Sequence, residues 1–166
     1  MKKHFCLFLA LLLTFSLLGC TPEQPEPEEP VTFYYPKAEI AKKDYWQDNG
    51  VIATQQQEAK GYRVNLYYLL GAYLKGPTEP GLTSYFPKNT RIVEIQRSLG
   101  NITVILDYPE EELTGLNKTI SYACLAITCL GLTDAEQISI QSEESRQAGE
   151  KPVTMDLSSL VFLKNS

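Results

Sequence analysis

Hydrophobic and polar residues alternate along residues 31–166 in patterns that predict short strands and two helices. VTFYYP (31–36) combines β-branched and aromatic residues and ends in proline, which predicts a strand. VIATQQQEA (51–59) predicts a second strand, and the polar stretch between the two predicts a loop with at most one helical turn. From Arg63 onward, the hydrophobic residues recur with the spacing of one helical face. That face consists of Leu66, Leu69, Leu70, Tyr73 and Leu74.

The run LKGPTEPGL (74–82) follows this first helix directly. Gly76 stands where a helix end favours a left-handed residue, and Pro77 cannot continue a helix. A phosphate-binding loop instead needs its glycines in front of a helix, where main-chain amides face the anion. Because the glycine here follows the helix, we predict a turn that redirects the chain.

The clearest strand signal is RIVEIQRSLGNITVILDY (91–108), which predicts an antiparallel hairpin around a turn at Gly100 and Asn101. EELTGLNKTISYACLAITCLGLT (111–133) then predicts a second helix that ends at Gly131. The apolar side of this helix comprises Leu116, Ile120, Ala123, Cys124, Ile127 and Leu130.

Two further segments complete the predicted order of elements. EQISIQSE (136–143) predicts a strand, and PVTMDLSSLVFL (152–163) predicts a short strand or a helical turn against the core. The order ββαββαβ favours an α+β fold, in which a mixed β-sheet and two helices packed on it form two layers. With no internal repeat, residues 31–166 are expected to form a single domain.

The N-terminal pattern differs from that of the domain. After the basic start MKK, residues 5–19 form an apolar run that is too short for a stable membrane span, and Cys20 follows directly. This is similar to a bacterial lipoprotein signal peptide over residues 1–19, which implies that Cys20 carries a lipid. An ordinary secretory signal or an uncleaved anchor is the alternative. The Pro- and Glu-rich residues 21–30 are expected to form an extended tether.

Charge and composition exclude several function classes. Loss of Lys2 and Lys3 with the signal lowers the number of basic residues from 15 to 13, against 20 acidic residues. The sequence has no basic stripe that could neutralise phosphates, which argues against nucleic acid as a partner. His4 is the only histidine and would leave with the signal. Ser-His-Asp and Cys-His catalysis and histidine-ligated zinc are therefore excluded for the mature chain. We find no motif for a metal or a cofactor.

Two cysteines remain inside the predicted second helix. A separation of five residues places the Cα atoms of Cys124 and Cys129 about 8 Å apart on a helix, which is too far for a disulfide. We interpret both as buried thiols of the core. A reactive or metal-binding pair is the alternative.

Candidate catalytic and sugar-binding residues are few. Asp107 and the carboxylates of residues 110–112 (Glu110, Glu111 and Glu112) could act as acid and base on a sugar, although acidic residues are also typical of a helix start. Ser84 beside Lys88 fits no nucleophile arrangement.

Tyr45 and Trp46 lie in a polar segment and suggest carbohydrate binding as an alternative function. Other tyrosines lie in or beside apolar patterns and are expected in the core, namely Tyr34, Tyr67, Tyr73 and Tyr122.

Several segments in a fixed order resemble the GerMN domain family. They are LLGAYLKGPTEPGLTSYFPKNTRIVEI, ITVILDYPEE and CLAITCLGLTDAEQISI, with a GPT-x-x-GL run and a Pro-x-x-Thr motif at 87–90. The resemblance covers about residues 33–142. It departs where the family has a glycine-containing turn after the last strand, here QSEES, and where many members have leucine or valine in place of Cys124 and Cys129.

The resemblance implies a noncatalytic lipoprotein at the extracytoplasmic face of the cell membrane, with a fold similar to ring-building modules of secretion and sporulation channels. It implies binding to an envelope protein or self-association, in sporulation, germination or general envelope biology. The loop GPTEPGLTSYFPKNT (76–90) is the predicted contact surface. Its candidate contact residues are Thr78, Glu79, Tyr85, Phe86 and Lys88. The alternative for the two aromatic residues is that they fill the core.

Overall fold

The computed structural model describes residues 30–39, 50–58 and 65–160. The elements in these ranges are β1 (Val31–Pro36), β2 (Ile52–Gln57), α1 (Leu66–Tyr73), β3 (Arg91–Ser98), β4 (Asn101–Asp107), α2 (Gly115–Leu132), β5 (Gln137–Ser142), α3 (Glu143–Gln147) and β6 (Val153–Asp156). The predicted α+β class is confirmed, and the short helix α3 is an addition to the predicted order. The predictions for Cys20, the tether, Tyr45 and Trp46 lie outside the described residues.

The strands divide into two sheets. β3, β4, β5 and β6 lie side by side in that order, with β4 and β5 parallel and the other two pairs antiparallel. β1 and β2 form a separate antiparallel ribbon in which Phe33 faces Gln55. The amide of Tyr34 in β1 donates to the hydroxyl of Thr128 in α2, at 3.0 Å. Part of the hydrogen-bonding edge of β1 therefore meets a helix, which explains why the predicted single sheet is divided.

Helix α2 is buried on most of its circumference between residues 120 and 129. It packs against both β1 and β5, so its two sides face different sheets. The apolar stripe predicted from the sequence therefore covers only part of the buried surface, which also contains Ser121 and Thr128. Leu116, the first residue of the predicted stripe, is exposed. Cys124 and Cys129 are free and fully buried here, which confirms their assignment to the core.

The ends of the two long helices test the predicted stop signals. Gly76, with φ of +88°, follows α1 in the left-handed conformation, as predicted. Gly131 instead lies within α2, which continues to Leu132. The hydroxyl of Thr133 donates to the carbonyl of Cys129 at 2.8 Å, so a side chain satisfies one of the last carbonyls. In the described ranges, no helix combines the length and the apolar character needed to cross a membrane.

Candidate functional site

The loop of residues 76–90, named here the GPT loop, is held at its start by a buried side chain of β2. Gln55 is 2% exposed, and its Oε1 accepts hydrogen bonds from the amides of Thr78 at 2.8 Å and Glu79 at 3.0 Å. A buried side-chain amide needs such partners to offset the loss of its hydration. The main chain of the GPT loop is thereby fixed while the residues Thr78 and Glu79 remain exposed.

A second set of bonds ties the GPT loop to the end of β1. Leu82 forms an antiparallel bridge with Lys37. On either side of this bridge, the amide of Ala38 donates to the carbonyl of Gly81 at 2.8 Å, and that of Thr83 donates to the carbonyl of Pro36 at 2.9 Å. The GPT loop is therefore joined to the end of the β1–β2 ribbon by a single antiparallel bridge.

The two aromatic residues of the GPT loop face inward to different degrees. Phe86 is buried, and its ring packs near those of Tyr108 and Tyr122 at centroid distances of 6.3 and 6.4 Å. Tyr85 is half-buried and packs against the core cluster that Val51, Ile120 and Cys124 form. Phe86 therefore cannot serve in the predicted contact surface, because its side chain supports the loop from inside.

The Pro-x-x-Thr motif closes the loop. Both the amide and the hydroxyl of Thr90 donate to the carbonyl of Pro87, at 3.0 and 2.7 Å. Lys88 is exposed within this turn and lines a shallow groove with Arg91, Asp107 and Pro109. Of the predicted contact residues, Thr78 and Glu79 share one anchoring point at Gln55, whereas Lys88 belongs to this separate turn.

Two of the four candidate catalytic carboxylates, Asp107 and Glu110, are engaged in structural contacts. Asp107 forms an ion pair with Arg91 on the neighbouring strand β3. Glu110 accepts hydrogen bonds from the hydroxyls of Ser142 and Ser145 and from Lys118. Glu111 and Glu112 are exposed in a 3-10 turn together with Glu110.

These contacts have a clear effect on the acidity of Glu110. The hydrogen bond from Ser142, and then those from Ser145 and Lys118, hold the pKa of Glu110 below its ordinary value, although partial burial opposes them. A general acid of a glycosidase requires a raised pKa, so that the carboxyl keeps its proton at neutral pH. Glu110 therefore lacks the property that the acid role needs.

Sequence reasoning missed the serines around Glu110. Ser142 is the N-cap of α3, where its hydroxyl accepts from the amide of Ser145 at 2.9 Å. The sequence SEES contains the signal for this helix, since a capping serine is followed by acidic residues in the first turn. The segment QSEES, which stands where the GerMN family has a glycine-containing turn, thus contains the start of a capped helix.

The two candidate cysteines and the tyrosines expected in the core do not contribute to the candidate site. Burial raises the pKa of the Cys129 thiol to about 12 and also raises the pKa of Cys124, so both stay protonated and unreactive at neutral pH. Tyr73 and Tyr122 lie in the core as predicted. Tyr67 was expected there but is 52% exposed on α1 beside Tyr68, because it lies outside the helical face that Leu66, Leu69, Leu70 and Tyr73 bury.

Comparison with solved structures supports the fold. The chain is similar to the tandem GerMN domains of the sporulation protein GerM from Bacillus subtilis, with 16% identity over 81% of this chain and a TM-score of 0.51. It spans 47% of the length of that GerM chain. A candidate lipoprotein from Clostridium perfringens is similar at 16% identity over 82% of this chain and 94% of that chain, with a TM-score of 0.44.

No protein-family model matches the sequence, and no curated protein matches it. The likeness to the GerM domains confirms that residues resembling the GerMN pattern adopt a GerMN-like α+β fold.

Proposed function

We propose that this protein is a lipid-anchored, noncatalytic binding or assembly module of the cell envelope. The lipid on Cys20 holds it at the extracytoplasmic face of the cell membrane, and the domain docks onto another envelope protein or onto further copies of itself. A role in sporulation or germination is part of this proposal, because the similar GerM domains belong to a sporulation protein. No cofactor and no nucleic acid take part.

The observation that carries the proposal is the way in which the GPT loop is held. Gln55 and the bridge between Lys37 and Leu82 fix its main chain, while Phe86 fills the core beneath it. Thr78, Glu79 and Lys88 remain exposed on this rigid support. A surface loop that is already ordered loses little conformational entropy on binding, which favours a docking surface.

The state of the carboxylates supports a noncatalytic role. Asp107 and Glu110 are both neutralised by basic partners, and the pKa of Glu110 is lowered, first by Ser142. A carboxylate pair for glycoside hydrolysis needs one protonated and one ionised member. Glu110, whose pKa is lowered, is not suited to the protonated role.

The test is partner capture from detergent-solubilised membranes with the full chain as bait. We expect a triple variant, Thr78→Ala, Glu79→Ala and Lys88→Ala, to fold normally and to capture its partner at least about tenfold less, as for the loss of a polar contact set. The matched control replaces exposed residues of the same types elsewhere, by Thr119→Ala, Glu144→Ala and Lys151→Ala.

Equal capture by both triple variants would remove the GPT loop from the binding surface. Turnover of a cell-wall-derived glycan by the purified protein would overturn the noncatalytic role. Circular dichroism and thermal unfolding of both variants separate loss of binding from loss of the fold.

A further inference from the structure

One end of the four-stranded sheet carries two exposed leucines. The strand register places Ser98, Asn101, Gln137 and Asp156 side by side across the sheet. The β3–β4 turn, with Leu99, and the residue that follows β6, Leu157, therefore lie at the same end. Leu99 is fully exposed and Leu157 is 64% exposed. Three strand spacings separate their strands, or about 15 Å. We name this surface, defined by Leu99 and Leu157, the leucine end.

Both leucines are presented by fixed turns. The carbonyl of Gly100, next to Leu99, accepts from the amides of Glu136 at 2.8 Å and Gln137 at 3.0 Å. Beside Leu157, Oδ1 of Asp156 accepts from the amide of Ser159 at 2.7 Å. A side chain that is already held in place loses little conformational entropy when it enters a contact.

The direction of β1 relative to α2 shows at which end of the domain the tether is attached. The amide of Lys37 donates to the carbonyl of Val51, and Val51 packs against Ile120 and Cys124, which precede Thr128 in α2. Tyr34, earlier in β1, bonds to Thr128, later in α2. β1 and α2 therefore run in opposite directions.

Val31, the first residue of β1, consequently lies near the C-terminal end of α2. The chain beyond α2 leads at once to Glu136, which bonds to Gly100 in the β3–β4 turn. The tether thus joins the domain at the leucine end. Cys20 and Pro30 are ten residue steps apart in the sequence, and an extended chain of that length spans at most about 35 Å.

We infer that the leucine end is a second membrane contact, in which Leu99 and Leu157 insert into the interfacial region of the bilayer. This inference rests on the proposed lipid anchor at Cys20. An acyl anchor and a second apolar contact together hold a protein far more firmly than one acyl chain does. Arg97, Asp134, Glu136 and Asp156 also lie at this end and are acidic on balance, so the contact is apolar rather than electrostatic.

The contact orients the whole domain. The GPT loop joins β1 at Pro36 and Lys37, which is the end of β1 opposite to Val31. With the leucine end on the bilayer, this part of the loop faces away from the membrane. That orientation presents the proposed docking surface to a partner in the space outside the membrane.

The test places a probe on one introduced cysteine at a time in the lipidated protein, reconstituted into phosphatidylcholine vesicles with or without brominated acyl chains. The variants Leu99→Cys and Leu157→Cys carry an environment-sensitive fluorophore, and Leu116→Cys is the control. Leu116 is 56% exposed and lies at the start of α2, at the other end of the sheet. The buried thiols of Cys124 and Cys129 do not compete for the label.

We expect brominated lipid to quench the probes at 99 and 157 by about twofold or more, as for side chains within the acyl boundary, and to leave the probe at 116 unchanged. Flotation of the protein with three unquenched probes would overturn the membrane contact and leave the anchor in place. A probe that shifts to the blue without quenching would show a protein contact and also overturn the inference. Failure of the wild-type protein to float with the vesicles would overturn the anchor and the contact together.

Discussion

The hydroxyl of Tyr35 donates a 2.9 Å hydrogen bond to the main-chain carbonyl of Tyr73, and the two rings stack with centroids 4.7 Å apart. The same carbonyl accepts a bond from the amide of Gly76 at 3.0 Å. One atom at the end of α1 therefore connects β1 to the first residue of the GPT loop.

We predict that Tyr35→Phe preserves the ring stack and lowers the free energy of unfolding by about 1 kcal/mol, the usual cost of one hydrogen bond. The cost stays modest because the Tyr73 carbonyl keeps its bond to Gly76. Chemical denaturation measures the change. Tyr34→Phe, on the half-buried neighbour, is the control and should change stability by less than about 0.5 kcal/mol.

The core thiols give a second prediction. Cys124 and Cys129 are buried with raised pKa values, so neither should react with a thiol reagent at pH 8 in the native protein, and both should react after unfolding. Cys124→Ser should cost about 1–3 kcal/mol, because a hydroxyl is buried among apolar neighbours. Cys124→Ala lacks this polar term and should cost less. Rapid labelling of either thiol in the folded protein would show an accessible site.

The contacts of Glu110 predict a pH-dependent contribution to stability. Because Ser142, Ser145 and Lys118 lower its pKa in the folded state, its stabilising effect is present above the unfolded pKa and is lost as the pH falls through the folded pKa. Glu110→Gln should therefore cost about 1 kcal/mol at pH 7. The difference from the wild type should shrink below about pH 4.

Glu111→Gln is the matched control for this experiment, since Glu111 is exposed in the same turn. It should change the free energy of unfolding by less than about 0.5 kcal/mol at any pH. Urea denaturation at pH 7 and pH 3 compares the two variants. A deficit for Glu110→Gln that is as large at pH 3 as at pH 7 would contradict the ionic origin of the effect.

Much of this fold follows from local patterns in the sequence. The alternation of residues 102–106 predicts β4, and the left-handed Gly76 after a helical face predicts the end of α1. These signals work because strand alternation and helix capping depend on neighbours within a few residues. The helix end predicted at Gly131 is wrong by one residue, since Thr133 offers a competing side-chain bond.

The parts that escaped prediction depend on distant residues. Gln55 appears in a polar run, and the amides that explain its burial lie 23 and 24 residues later in the chain. The division into two sheets likewise depends on Thr128, which meets Tyr34 across 94 residues. No local pattern encodes either contact. For Phe86, only the alternative hypothesis, in which its side chain fills the core, is correct. The sequence did not decide this, because an aromatic residue between prolines fits both a contact surface and the core.

The anchor at Cys20 remains a prediction with a direct test. The wild-type protein should incorporate an acyl probe and partition into detergent, whereas Cys20→Ala should lose the label and keep its signal segment. Cys6→Ala is the control, because Cys6 lies in the predicted signal segment, and its replacement should have no effect on the label. Wild-type protein that is unlipidated and free in the medium would contradict the anchor.

The final prediction concerns Gln55, because the anchoring of the GPT loop depends on it. Gln55→Ala removes the acceptor for the amides of Thr78 and Glu79, which should lower stability by about 1–2 kcal/mol and speed hydrogen exchange of these two amides by about tenfold. Gln56→Ala is the control, since Gln56 is exposed and bonds to Thr32 on the ribbon surface. If a rigid loop is what binds the partner, Gln55→Ala should also weaken partner capture while Thr78 and Glu79 keep their side chains. Faster exchange with unchanged capture would show that binding does not depend on the order of the loop.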